Sequence, residues 1–91
     1  MIIALDYDDT YTRDPEFWNI LILAALQKKY TVMCVTMRYP HEGSELEKEL
    51  GDVCRIVYTC RKAKQPFLAE LSIFPDIWID DRPDWIFNDA R

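Results

Sequence analysis

Four short apolar runs, each separated from the next by a helix-like stretch, constrain this chain more than any other feature. They are Ile2 to Asp6, Thr31 to Thr36, Val53 to Thr59 and Ile77 to Ile79. Short runs without polar alternation are those of strands buried on both faces. Between them the pattern predicts a mostly apolar helix over Pro15–Lys29, with Asp14 as N-cap and Pro15 in its first turn. It predicts an amphipathic helix over Glu42–Leu50, stopped by Gly51, and a third from about Gln65 to Ser72. A short helix or turn within Asp84–Arg91 closes the chain. The alternation β-α-β-α-β-α-β implies a parallel sheet with right-handed crossovers and helices on both faces, a three-layer α/β/α Rossmann-like domain. With 91 residues there is one domain, 1–91.

Composition removes several function classes. The chain is 49% hydrophobic and 13% aromatic, so it is globular and not disordered. Its net charge of −5 argues against a protein that coats nucleic acid. Three cysteines, Cys34, Cys54 and Cys60, are an odd number without CxxC spacing. They read as reduced, mostly buried residues of a cytoplasmic protein, and with His41 the lone histidine, cysteine catalysis is not favoured. No apolar run approaches the roughly 18 residues that span a membrane. The opening Met1–Leu5 lacks a basic flank and reads as strand rather than signal peptide. The first helix is apolar on nearly every face, which leaves a homo-oligomer open beside the plainer reading of exposed leucine.

Polar clusters fall where the predicted strands end. Asp6, Asp8 and Asp9 follow the first, Thr36 and Arg38 the second, and Asp80 and Asp81 the fourth. A basic cluster, Cys60-Arg61-Lys62-Ala63-Lys64, leads into the third helix. In parallel α/β sheets ligands bind at the carboxyl edge, beside the switch in strand order. Like charges so close are costly unless a cation neutralises them or their pKa values are driven apart. Two acidic clusters make a hard-oxygen site suited to Mg²⁺. Thr36 and Lys62 or Lys64 can meet phosphoryl oxygens, and Arg38 can make a bidentate phosphate contact.

These residues resemble the haloacid-dehalogenase superfamily. Asp6-Tyr7-Asp8-Asp9-Thr10 after an apolar strand is similar to its first motif, DxDxT. Thr36 looks like the second motif, Lys64 at a helix start like the third, and Asp80-Asp81 like the fourth. The resemblance implies a phosphoester hydrolase with Asp6 as nucleophile and Asp8 as general acid and base. It implies magnesium (Mg²⁺) held by Asp6, the main-chain carbonyl of Asp8, and Asp80 or Asp81. Thr36 and Lys64 would hold the phosphoryl group. Asp9 stands where the family usually has glycine.

The connections are too short for either of the family's cap domains, so an open site is expected. Thr36-x-Arg38 with Asp80-Asp81-Arg82 is also similar to the phosphatase half of polynucleotide kinase-phosphatases. A nucleotide or other small phosphorylated substrate is favoured over a nucleic-acid end, given the acidic charge. Two rivals remain. One is a Mg²⁺- and phosphate-binding module without turnover. The other is a module resembling a response-regulator receiver, although Tyr58-Thr59-Cys60 offers no acceptor aspartate after the third strand.

Overall fold

The structure, a computed structural model, describes residues 1–90. Arg91, the end of the expected terminal helix, lies outside them. Four strands form one parallel sheet: β1 (Ile2–Leu5), β2 (Thr31–Thr36), β3 (Arg55–Tyr58) and β4 (Ile77–Ile79). Their spatial order is β3-β2-β1-β4. The chain steps outward from β1 through β2 to β3, then returns across β1 to β4, so the order reverses between β1 and β4. The architecture is α/β, with α1 (Pro15–Gln27), α2 (Ser44–Leu50), α3 (Lys64–Glu70) and α4 (Asp84–Phe87) connecting or following the strands.

Alternate strand residues enter two separate clusters, as the two-residue period of a strand requires. Ile3, Leu5, Val32 and Cys34 pack with Ile22 and Ala25 of α1 and Leu46 and Leu50 of α2. Ala4, Met33, Val35 and Val57 pack with Leu68 of α3. Both sets draw on β1 and β2, which is why those two runs are continuously apolar. The outer face of α1 is different. Phe17, Ile20 and Leu23 are exposed there, the excess apolar surface anticipated for this helix. Among the described residues no helix is long and apolar enough to cross a membrane. All three cysteines are free, with Cys34 and Cys54 buried.

Element ends move where the chain uses unusual turns. The Asp14 carboxylate does cap α1, accepting from the Phe17 N–H at 3.2 Å. The helix closes before Lys29, which adopts φ 63° so that Tyr30 N–H reaches Ala25 O at 2.9 Å. Pro40–Glu42 winds into a separate 3₁₀ turn, and α2 therefore starts at Ser44 rather than Glu42. Gly51 is not a left-handed stop: its φ is −59°, and Cys54 N–H still reaches Leu50 O at 2.9 Å. That extra turn consumes Val53 and Cys54 and shortens β3 to Arg55–Tyr58.

Candidate functional site

Register builds the site. Leu5 pairs with Cys34 on one side and Ile79 on the other, so the next residues of β1 and β4, Asp6 and Asp80, emerge side by side. The Asp6 N–H donates to Ile79 O at 2.9 Å and fixes this exit. From the opposite direction comes Lys64, the first residue of α3, with its side chain only 1% exposed. Its ammonium donates to Asp6 Oδ1 at 2.8 Å and Asp80 Oδ2 at 2.6 Å. Thr10 ties in the fourth member. Its hydroxyl proton is shared between Asp6 Oδ2 at 3.0 Å and Asp81 Oδ1 at 3.2 Å, while its oxygen accepts the Asp81 N–H at 3.1 Å.

Carboxylate oxygens of Asp6, Asp80 and Asp81 lie within 4.8 Å of one another. Three carboxylates and one ammonium leave a formal charge of −2 at the rim. Burial pushes the Asp6 carboxyl up to about 7, against the lowering pull of Lys64 and with the Asp80 charge adding to the rise. The cluster offers only oxygen ligands, the kind a hard divalent cation takes.

Asp8 turns away from this network. Its carboxylate forms a bidentate pair with Arg38, Oδ1 to Nη2 at 2.7 Å and Oδ2 to Nε at 3.0 Å. Arg38 Nη1 donates to Glu42 O at 2.6 Å, and the guanidinium lies over the buried Tyr7 ring at 5.1 Å. Donating to Asp8 holds the Arg38 proton more tightly than usual. Thr36 is buried and serves this loop, its hydroxyl oxygen accepting the Arg38 N–H at 3.2 Å. The residues proposed from the sequence thus fall into two groups. Asp6, Lys64, Asp80 and Asp81 form one network, and Asp8, Arg38 and Thr36 form another. Lys62, the alternative to Lys64, sits apart, exposed and 3.9 Å from Asp89.

A cavity of about 200 Å³ is lined by Asp6, Asp8, Asp9, Asp81, Met37, Arg82 and Trp85. It adjoins a wider one of about 620 Å³ whose lining repeats Asp8, Asp9, Met37 and Trp85 and adds Arg38 and Arg61. Asp9 has φ 61°, the left-handed conformation that glycine adopts freely, and its N–H donates to Thr12 Oγ1 at 2.9 Å. Thr10 is the residue whose work sequence reasoning missed. It was visible as the threonine of DxDxT, but its spacing alone does not say that it bridges two aspartates. Arg61 was noted only as part of a basic cluster.

Comparison with protein-family models, curated proteins and solved structures finds no match.

Proposed function

We propose that the protein is a Mg²⁺-dependent phosphoester hydrolase acting through an aspartyl-phosphate on Asp6. The observation that carries this reading is the buried Asp6–Lys64–Asp80 network with Asp81 alongside, at the reversal point of a parallel sheet. A nucleophilic carboxylate, an ammonium beside it and oxygen ligands for a cation are the parts phosphoryl transfer requires. The two core clusters on opposite strand faces support a three-layer, HAD-like arrangement. The connections after β1 and β2, which hold only 3₁₀ turns and α1 or α2, support a capless and open site.

In the first step an Asp6 oxygen bonds to phosphorus as the bond from phosphorus to the leaving oxygen breaks, and Asp8 hands a proton to that oxygen. With Arg38 on both its oxygens, Asp8 must release one of them to carry that proton. In the second step Asp8 takes a proton from water. The water oxygen bonds to phosphorus and the bond to Asp6 breaks, releasing phosphate. Lys64 holds Asp6 in place throughout and, with Thr36, offers contacts to the phosphoryl oxygens. Asp6, Asp80 or Asp81 and the Asp8 carbonyl would hold Mg²⁺, which would supply charge neutralisation at the phosphoryl group.

The 200 Å³ cavity suits a phosphoryl group, and the open surroundings suit a small phosphorylated molecule such as a nucleotide. A net charge of −5 makes a nucleic-acid end the weaker candidate. A receiver-like module is disfavoured by strand order: receivers place β3 beside β1, whereas here β1 lies between β2 and β4. Free cysteines agree with a cytoplasmic setting. The test is hydrolysis of an aryl phosphate and a broad phosphoester panel with and without Mg²⁺. Metal-dependent turnover is expected. No turnover on any member overturns the enzyme reading and leaves a silent binding module.

A further inference from the structure

The small cavity beside Asp6 and the wider one share Asp8, Asp9, Met37 and Trp85. On the phosphatase reading, a leaving group protonated by Asp8 would lie toward the wider cavity, which Asp8 also lines. Two arginines line that space, and they are held very differently. Arg38 is committed: Asp8 and Glu42 O take three of its N–H groups at 2.6–3.0 Å. Arg61 donates Nη1 to Met37 O at 2.7 Å and rests over the Tyr39 ring at 5.4 Å. Its carboxylate partner is Glu42, at 3.3 and 3.4 Å, long for a charge-assisted bond. Glu42 has its own anchor, since its Oε1 accepts the Tyr39 N–H at 2.8 Å. An incoming anion can therefore take over the Arg61 guanidinium without leaving Glu42 unbonded.

The backbone beneath Arg61 points the same way. Cys60 and Arg61 both have positive φ, 56° and 70°, and Lys62 N–H returns to Thr59 O at 3.0 Å. Such a turn ordinarily takes glycine or asparagine. Strained residues persist where the surrounding structure holds them, and they cluster at binding sites. Here the Arg61 N–H is pinned to Met37 O at 2.9 Å, so the tight turn delivers its guanidinium to the cavity wall.

We infer that Arg61 forms a second anion subsite, and that the preferred substrate is a phosphoester whose leaving group carries its own phosphate or carboxylate. This rests on the phosphatase reading above. The incoming anion displaces the long Glu42 contact and accepts two guanidinium N–H bonds. A charge-assisted contact of this kind changes affinity roughly 10–100-fold.

The experiment compares kcat/KM for glycerol phosphate, phosphoglycerate and glycerol bisphosphate with Mg²⁺, using the full chain as wild type, Arg61→Gln and Glu42→Gln. Wild type should prefer the two doubly anionic substrates roughly 10–100-fold. The faster of the two identifies which anion the subsite takes. Arg61→Gln should bring both down to the glycerol phosphate level, mainly through KM. Glu42→Gln frees Arg61 and should lower KM for both several-fold, an opposite change that does not depend on how well Arg61→Gln folds. Equal rates on all three substrates, or a preference that survives Arg61→Gln, overturns the subsite and leaves the phosphatase standing. No turnover on any phosphoester, aryl phosphate included, overturns both.

Discussion

Asp6 and Asp8 leave the same strand end, and each meets a cation at hydrogen-bond distance, yet their surroundings differ in kind. Asp6 and Lys64 are enclosed, with Asp80 and Thr10 completing the network. The Asp8 side chain is 51% exposed, and Arg38 meets it at the protein surface. A buried charge that loses its partner keeps its desolvation cost, whereas an exposed one is rehydrated. The same motif thus makes one carboxylate whose position and protonation are set by the fold, and one free to exchange partners. That division suits the proposed roles, a nucleophile that must be aimed and a proton carrier that must move. Two carboxylates given different jobs by different environments is a recurrent arrangement in acid–base enzymes.

The sharpest way to break this comparison is at the buried end. Asp6→Asn removes the attacking oxygen's charge and should lower kcat on any phosphoester by roughly 10⁴-fold or more. Steady-state hydrolysis measures it, and activity persisting in Asp6→Asn at more than a few per cent removes the nucleophile assignment. Stability separates the two pairs next. Lys64→Met leaves Asp6, Asp80 and Asp81 crowded without their ammonium and should cost about 3–5 kcal/mol. Arg38→Met should cost less, about 1–2 kcal/mol, because Asp8 is simply hydrated and only the Glu42 carbonyl loses its donor. Urea unfolding of the two variants side by side decides it. Equal losses would mean that burial does not distinguish the pairs.

The pH dependence sharpens the same contrast. Asp6 is raised from 3.8 to about 7. Its folded form therefore holds a proton at pH values where the unfolded chain has lost it. The resulting stability is fully present below the unfolded value and is lost as pH rises through about 7. Metal-free protein should accordingly be less stable to urea at about pH 8 than at about pH 5, by a few kcal/mol at most. Mg²⁺ added at the higher pH should restore part of the loss by binding the folded state. Asp6→Asn should flatten this slope. A slope that remains unchanged in Asp6→Asn would assign it to other groups.

These contrasts also mark what a sequence can disclose. The strands were legible because burial on both faces demands continuous apolar runs, and β2 and β4 occur at the expected bounds. The meeting of Asp6 with Asp80 and Asp81 was legible because parallel strands of matched register expose consecutive residues on one edge. Helix ends were less so. Lys29 and Ser72 take the left-handed closing position without being glycine, while Gly51 does not take it. Side-chain choice at the Asp8 end was hidden. Arg38 could as well have faced the rim, and only the packed loop with Glu42 and Tyr7 directs it to Asp8, thirty positions earlier. The Cys60-Arg61 turn carries none of the residues that announce such a turn.

The smallest effect tests the loop that joins the two pairs. Asp9 stands between Asp8 and Thr10 with φ 61°, and it lines both cavities of the candidate site. Holding a side chain in that conformation costs roughly 1 kcal/mol, less for aspartate than for most residues. Glycine avoids the cost but loses more entropy on folding, so the two nearly offset. Removing the Asp9 charge from a rim that already carries Asp6, Asp80 and Asp81 tips the balance. Asp9→Gly should therefore stabilise the metal-free protein by about 0.5 kcal/mol, and Asp9→Ala, which keeps Cβ, should destabilise it by about 1 kcal/mol. Thermal melts of both variants resolve the difference. If alanine and glycine behaved alike, the charge would be setting the energy of this turn and the backbone would not.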